Sequence, residues 1–111
     1  MSNTNRAKYK HDYQIKYRHT PRSKYVRFRH RAYERKHEVA ISFEHFTALI
    51  AAPCQYCGDL ASRITIDRVD SSKGYVPNNV VECCLKCNMM KRNYTVQDFL
   101  SHVAKIHRYN N

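Results

Sequence analysis

Two pairs of cysteines, Cys54-Gln55-Tyr56-Cys57 and Cys84-Leu85-Lys86-Cys87, carry the clearest chemistry in this sequence. The two-residue spacing lets both sulfurs of a pair reach one ion at about 2.3 Å, and two such pairs close a tetrahedral thiolate site. A closed set of four thiolates leaves no position for water, so the expected metal is a structural Zn²⁺ rather than a catalytic one. Ordinary buried thiols or a redox couple are the plain alternative. The matched spacing, with Gly58 directly after the first pair, favours metal. Cys83 breaks the spacing and, beside Cys84 on a strand, would face the other way, so it reads as core; ligation through Cys83 is the lesser alternative. An odd total of five cysteines also argues against a disulfide framework.

Hard oxygen and amide side chains lie between the pairs. Arg63-Ile64-Thr65-Ile66-Asp67 and Asn79-Val80-Val81-Glu82-Cys83 alternate in polarity and are rich in β-branched residues, so two short strands forming a hairpin are expected. The loop from Val69 to Asn78 contains the turn formers Ser71, Ser72, Gly74, Pro77 and Asn78. The second cysteine pair is then expected to open a helix running to about Asn93. The predicted order is strand, loop, strand, helix.

Taken jointly, Cys-x-x-Cys-Gly at 54–58, Ile66-Asp67-Arg68-Val69-Asp70, Gly74-Tyr75, Asn79-Val80-Val81 and Cys84-x-x-Cys87-Asn88-x-x-Lys91 resemble the HNH endonuclease family, especially its small phage-type members. The resemblance covers residues 54–92. It implies an α+β fold, a zinc-stabilised ββα-metal module flanked by helices, that binds one divalent cation and hydrolyses a phosphodiester. By position, Asp67 resembles the family's metal ligand at the end of the first strand, and Asn88 the ligand that completes the site from the helix. Carboxylate and amide oxygens suit Mg²⁺ or Mn²⁺. Asn79 is similar to the family's central asparagine, which braces the loop and orients the base. Turn or helix capping is the plain alternative for both asparagines; Asp70 is a candidate third oxygen ligand, with loop capping the favoured reading.

One position departs from the family pattern. The general-base histidine that follows the aspartate is here Arg68, which stays protonated and has no acceptor lone pair. It is expected near the scissile phosphate, gripping it or stabilising charge. Proton removal then falls to water ionised by the cation, or to a histidine from elsewhere such as His37, His45 or His102, each of which otherwise reads as a surface residue. The expected function is a metal-dependent endonuclease acting on DNA, with RNA left open. The rival from another class is a non-catalytic nucleic-acid-binding module that kept the zinc fold as a structural or nucleoprotein component.

The elements that must position these residues are legible on either side. Ser42 is a candidate N-cap for a helix with Phe43, Phe46, Leu49 and Ile50 on one face, ended by Pro53. Thr95 and Asp98 open a further helix whose apolar stripe is Val96, Phe99, Leu100, Val103 and His107, expected to pack on the module. The sequence therefore divides into a basic arm, residues 1–40, and a zinc module, residues 41–111.

Within the arm, Tyr25, Phe28, Ala32 and Tyr33 predict a helix from about Ser23 to His37, with Pro21 and Ser23 as start signals. Tyr9, Tyr13 and Tyr17 recur every fourth residue, and residues 1–20 are expected to order only on a polyanion. Of the net charge of +11, the arm carries 12 Lys and Arg against 3 acids, and the rest of the chain 8 against 6. Such an imbalance points to an acidic polymer, with nucleic acid first and an anionic membrane surface a distant second. The longest apolar run, Ala48 to Ala52, is far short of the roughly 18 residues of a spanning helix. Met1 to Lys10 lacks the apolar core of a secretory signal, so an intracellular protein is expected, in the host cytoplasm if the gene is a phage's.

Overall fold

The structure, a computed structural model, describes residues 19–111, so the Tyr9, Tyr13, Tyr17 repeat lies outside the described residues. The chain divides into two compact units, Met1–Lys36 and His37–Asn111.

In the first unit, helix α1 spans Pro21–Glu34 and begins two residues before the predicted start. Thr20, not Ser23, is the N-cap: its hydroxyl accepts the Ser23 amide at 3.2 Å, and Pro21 sits at the first helical position, where a missing N–H costs nothing. Ser23 instead accepts from Arg27 at 2.9 Å. The helix stops short of His37 because Lys36 turns to a positive φ of 61°. Tyr25, Phe28 and Ala32 form the buried stripe, whereas Tyr33, read into that stripe from the sequence, is 82% exposed.

In the second unit, α2 (Phe43–Ile50) is capped by Ser42, whose hydroxyl accepts the His45 amide at 3.0 Å, and it buries Phe46 and Leu49. Strands β1 (Ile64–Arg68) and β2 (Val80–Cys84) pair antiparallel in the register Ile64↔Cys84 through Arg68↔Val80. Both begin one residue later than predicted; for β2 the reason is that Pro77–Asn79 forms a 3₁₀ turn that takes Asn79 out of the strand. Helix α3 (Leu85–Lys91) follows at once, with Cys84 as its cap, and ends before Asn93 because Arg92 adopts a φ of 51°.

Helix α4 (Val96–Tyr109) is capped by Thr95, which accepts the Asp98 amide at 3.0 Å. Of its predicted packing stripe only Phe99 is buried, meeting Tyr56 edge to face at 5.6 Å; Leu100, Val103 and His107 stay exposed. Among the described residues no helix is long and apolar enough to cross a membrane.

A third chain segment docks beside the hairpin loop. Val39 forms an isolated parallel bridge with Tyr75; Ala40 N–H donates to Tyr75 O at 2.8 Å, and Tyr75 N–H to Glu38 O at 2.7 Å. Gly74 allows this approach, since a Cβ there would lie 2.7 Å from the Glu38 carbonyl oxygen and 2.8 Å from its Cβ. The Gly74-Tyr75 pair thus reads as a docking step rather than merely a turn.

Candidate metal centre and active site

The first cysteine pair sits on a turn after Pro53, the second at the junction of β2 and α3. Gly58, at φ 75°, closes that turn by donating to Cys54 O at 2.9 Å, and Gln55 N–H binds Glu82 O at 2.9 Å, tying the turn to β2. The Sγ atoms of Cys54, Cys57, Cys84 and Cys87 all lie within 4.8 Å of one another, with Cys57 and Cys84 at 3.8 Å. Sulfurs at about 2.3 Å from a tetrahedral ion stand about 3.8 Å apart, so the donor set and its spacing fit zinc.

Their ionisation agrees. Burial raises the Cys54 thiol, but backbone hydrogen bonds at Cys84, Cys57 and Tyr56 outweigh it and bring it down to about 6. Cys87 is pushed up, first by burial and then by the neighbouring sulfurs. Sulfurs this close cannot all ionise unless a cation joins them. Cys83 stands outside this quartet, fully buried, its thiol pushed up chiefly by desolvation.

The structure places Asp67 near the end of β1, 5% exposed, facing α3. Its Oδ2 accepts the Tyr56 hydroxyl at 2.7 Å, and the Lys91 ammonium lies 3.2 Å from Oδ2 and 3.4 Å from Oδ1. Burial, and then the adjacent carboxylate, push the Tyr56 phenol far up, so the hydroxyl remains a donor. Asn88 lies one turn before Lys91 on α3 and donates to Thr65 Oγ1 at 2.7 Å. Thr65 is two residues from Asp67, hence on the same strand face. Asp67 and Asn88 therefore address one region between β1 and α3. Among the described residues no group of three acids or histidines gathers around Asp67.

Asn79 ties both ends of the loop: its Oδ1 accepts the Asp70 amide at 2.9 Å, and its Nδ2 donates to Asp70 O at 3.0 Å and Gly74 O at 2.9 Å. Asp70 caps its own turn, accepting from the Ser72 amide and hydroxyl at 2.9 and 2.6 Å, and the Ser72 hydroxyl holds its carboxyl below the usual range.

Arg68 does not point into open solvent. Its Nη1 donates to Ser71 O at 2.8 Å and Lys73 O at 3.0 Å, and the guanidinium lies 5.5 Å from the Tyr75 ring centroid. His37 Nδ1 is 3.5 Å from the same Nη1, and the His37 ring meets Tyr75 at 6.0 Å. Of the histidines considered from the sequence, the fold carries His37 to Arg68, while His45 stays on α2 and His102 on α4.

Sequence reasoning missed the partners of Asp67. Lys91 stood in the quoted motif without a role; its spacing of three from Asn88, with strand alternation placing Thr65 and Asp67 on one face, could have found it. Nothing in the sequence marks Tyr56, which reaches Asp67 only through the tertiary fold.

No family model matches this sequence. Among solved structures, the rare-cutting HNH restriction endonuclease PacI, described for its mechanism of DNA perturbation, superposes with a TM-score of 0.61 at 21% identity, covering 72% of this chain and 71% of that one. The fold is therefore shared with that endonuclease: helices around a small antiparallel two-stranded sheet, with four cysteines placed to hold a metal ion. Among curated proteins, an uncharacterized protein of Acanthamoeba polyphaga mimivirus is 32% identical over 98 residues. The match takes in 86% of this chain, which spans only 18% of that relative.

Proposed function

We propose that this chain is an HNH-type endonuclease that hydrolyses phosphodiester bonds in DNA, its module stapled by zinc on Cys54, Cys57, Cys84 and Cys87. The observation that carries the reading is that Asp67, near the end of β1, shares a strand face with Thr65, to which Asn88 of α3 donates, beside a cysteine quartet in a fold shared with an HNH endonuclease. Asp67 and Asn88 would hold Mg²⁺ or Mn²⁺ through a carboxylate and an amide oxygen. Such a sparse protein set suits a cation that keeps most of its waters and takes further ligands from the substrate phosphate. When bound, the cation polarises the phosphoryl oxygen and eases ionisation of water.

The chain's own groups do the rest. Asn79 fixes the loop across its two ends, and Arg68 holds the loop carbonyls while keeping a positive charge beside the reacting region. His37 Nδ1 stands 3.5 Å from Arg68 Nη1, whose two protons go to the Ser71 and Lys73 carbonyls. Because this imidazole lies beside the guanidinium that would grip the phosphate, we assign proton removal to His37. The cations of α1 and the preceding arm supply sequence-independent phosphate contacts.

Incubation of the zinc-loaded protein with supercoiled plasmid and Mg²⁺ or Mn²⁺ tests this. Nicked or linear product is expected, abolished in Asp67→Ala and reduced in His37→Ala, with circular dichroism confirming that each variant is folded. The second reading, a nucleic-acid-binding module without catalysis, is favoured by Arg68 at the base position with its guanidinium on loop carbonyls. It takes over if neither wild type nor Arg68→His cuts while DNA is still retained on a gel.

A further inference from the structure

Lys91 is 0% exposed, in a module whose other lysines do not share that burial. A buried ammonium is tolerated only when paired, and its partners are both oxygens of Asp67 and the Arg68 carbonyl oxygen at 3.4 Å. Asp67 is itself 5% exposed, so each charge depends on the other. Yet Asp67 is the carboxylate that the nuclease reading gives to a divalent cation. A cation about 2.1 Å from that oxygen would stand within a few ångströms of the ammonium, and like charges that close oppose each other.

We infer that Lys91 is a resident counter-ion that holds Asp67 in the free protein and sets, by having to withdraw, how tightly a divalent cation binds there. The inference rests on the reading of Asp67 as a cation ligand. Helix α3 builds the competition into one turn: Asn88 offers an amide oxygen, and Lys91, three residues later on the same face, offers the charge that stands in for the ion. A lysine suits this role because its ammonium is a point charge on a flexible four-carbon stem, able to swing to another partner. A substrate phosphate is such a partner, so nucleic acid and cation favour each other's binding.

Mn²⁺ titration of the zinc-loaded protein, followed by electron paramagnetic resonance and by thermal melting, tests this without any catalytic readout. Lys91→Met keeps the stem volume and removes the charge. It is expected to bind Mn²⁺ at least tenfold more tightly than wild type and to gain melting temperature on Mn²⁺ where wild type gains little. The gain should vanish in the double variant Asp67→Asn with Lys91→Met. If Lys91→Met is unfolded without Mn²⁺, refolding on its addition supports the inference, and failure to refold overturns it.

Equal or weaker Mn²⁺ binding in Lys91→Met, with binding still lost in Asp67→Asn, overturns the role of Lys91 and leaves Asp67 a ligand. Mn²⁺ binding indifferent to Asp67→Asn overturns both.

Discussion

Gly74→Ala is the smallest change that tests how this fold delivers a histidine to Arg68. The added Cβ would lie 2.7 Å from the Glu38 carbonyl oxygen and 3.1 Å from its backbone nitrogen, atoms that cannot move aside as a side-chain tip could. Relief requires the segment around Val39 to retreat, which breaks the hydrogen bonds of Ala40 and Tyr75 across the bridge. Overpacking of this kind costs about 1–3 kcal/mol. At about 4–8 °C per kcal/mol for a domain of 60–100 residues, the melting temperature should fall by roughly 4–24 °C.

Gly58→Ala supplies the contrast, since a Cβ there meets nothing within 4 Å and the strain comes only from its φ of 75°. It should cost about 1–2 kcal/mol without disturbing the bridge. Thermal melting gives the magnitude and hydrogen exchange gives the place: the Ala40 and Tyr75 amides should lose protection in Gly74→Ala alone. Unchanged melting with both amides still protected would refute the docking argument and, with it, the delivery of His37.

Asp67→Asn leaves Lys91 buried without its counter-charge and should destabilise the module by about 3–5 kcal/mol in urea unfolding. The double variant with Lys91→Met should recover most of that, and the two effects being additive would contradict the pair. Affinity for duplex DNA should fall by about three decades between 50 and 200 mM salt if about six cations meet phosphates; a flat response would remove nucleic acid as the partner. The Asp70 carboxyl is held below its ordinary value, near 3.8, by Ser72. Its contribution is therefore fully present above that value and is lost as pH falls through the lower folded value. A carbon-detected titration should place its midpoint below 3.8, and a midpoint above would remove the turn cap from the account.

The cysteine quartet was legible in the sequence because ligation geometry is local: two residues between thiols suffice to predict that they converge. Strand alternation and the Ser42 and Thr95 caps were legible for the same reason, each being set by neighbours a few residues away. The start of β2 was off by one because Pro77 opens a 3₁₀ turn that alternation alone does not register. The conformation of Arg68 was not readable. Its side chain folds back on Ser71 and Lys73 carbonyls that exist as acceptors only once the loop has formed.

Tyr56 and Lys91 show the same limit, since their distances to Asp67 depend on how the cysteine turn and α3 are brought against β1. The exposed stripe of α4 shows the converse: an apolar period marks a helix face without fixing how much of it finds a partner.

Everything assigned to Asp67 depends on one ion joining two distant turns of chain through four sulfurs. Metal analysis of the freshly purified, folded protein, by native mass spectrometry alongside elemental quantification, tests that most directly. The account predicts one zinc per chain, with the fold lost when it is stripped by a chelator. A folded, metal-free chain with the same circular dichroism spectrum would contradict it.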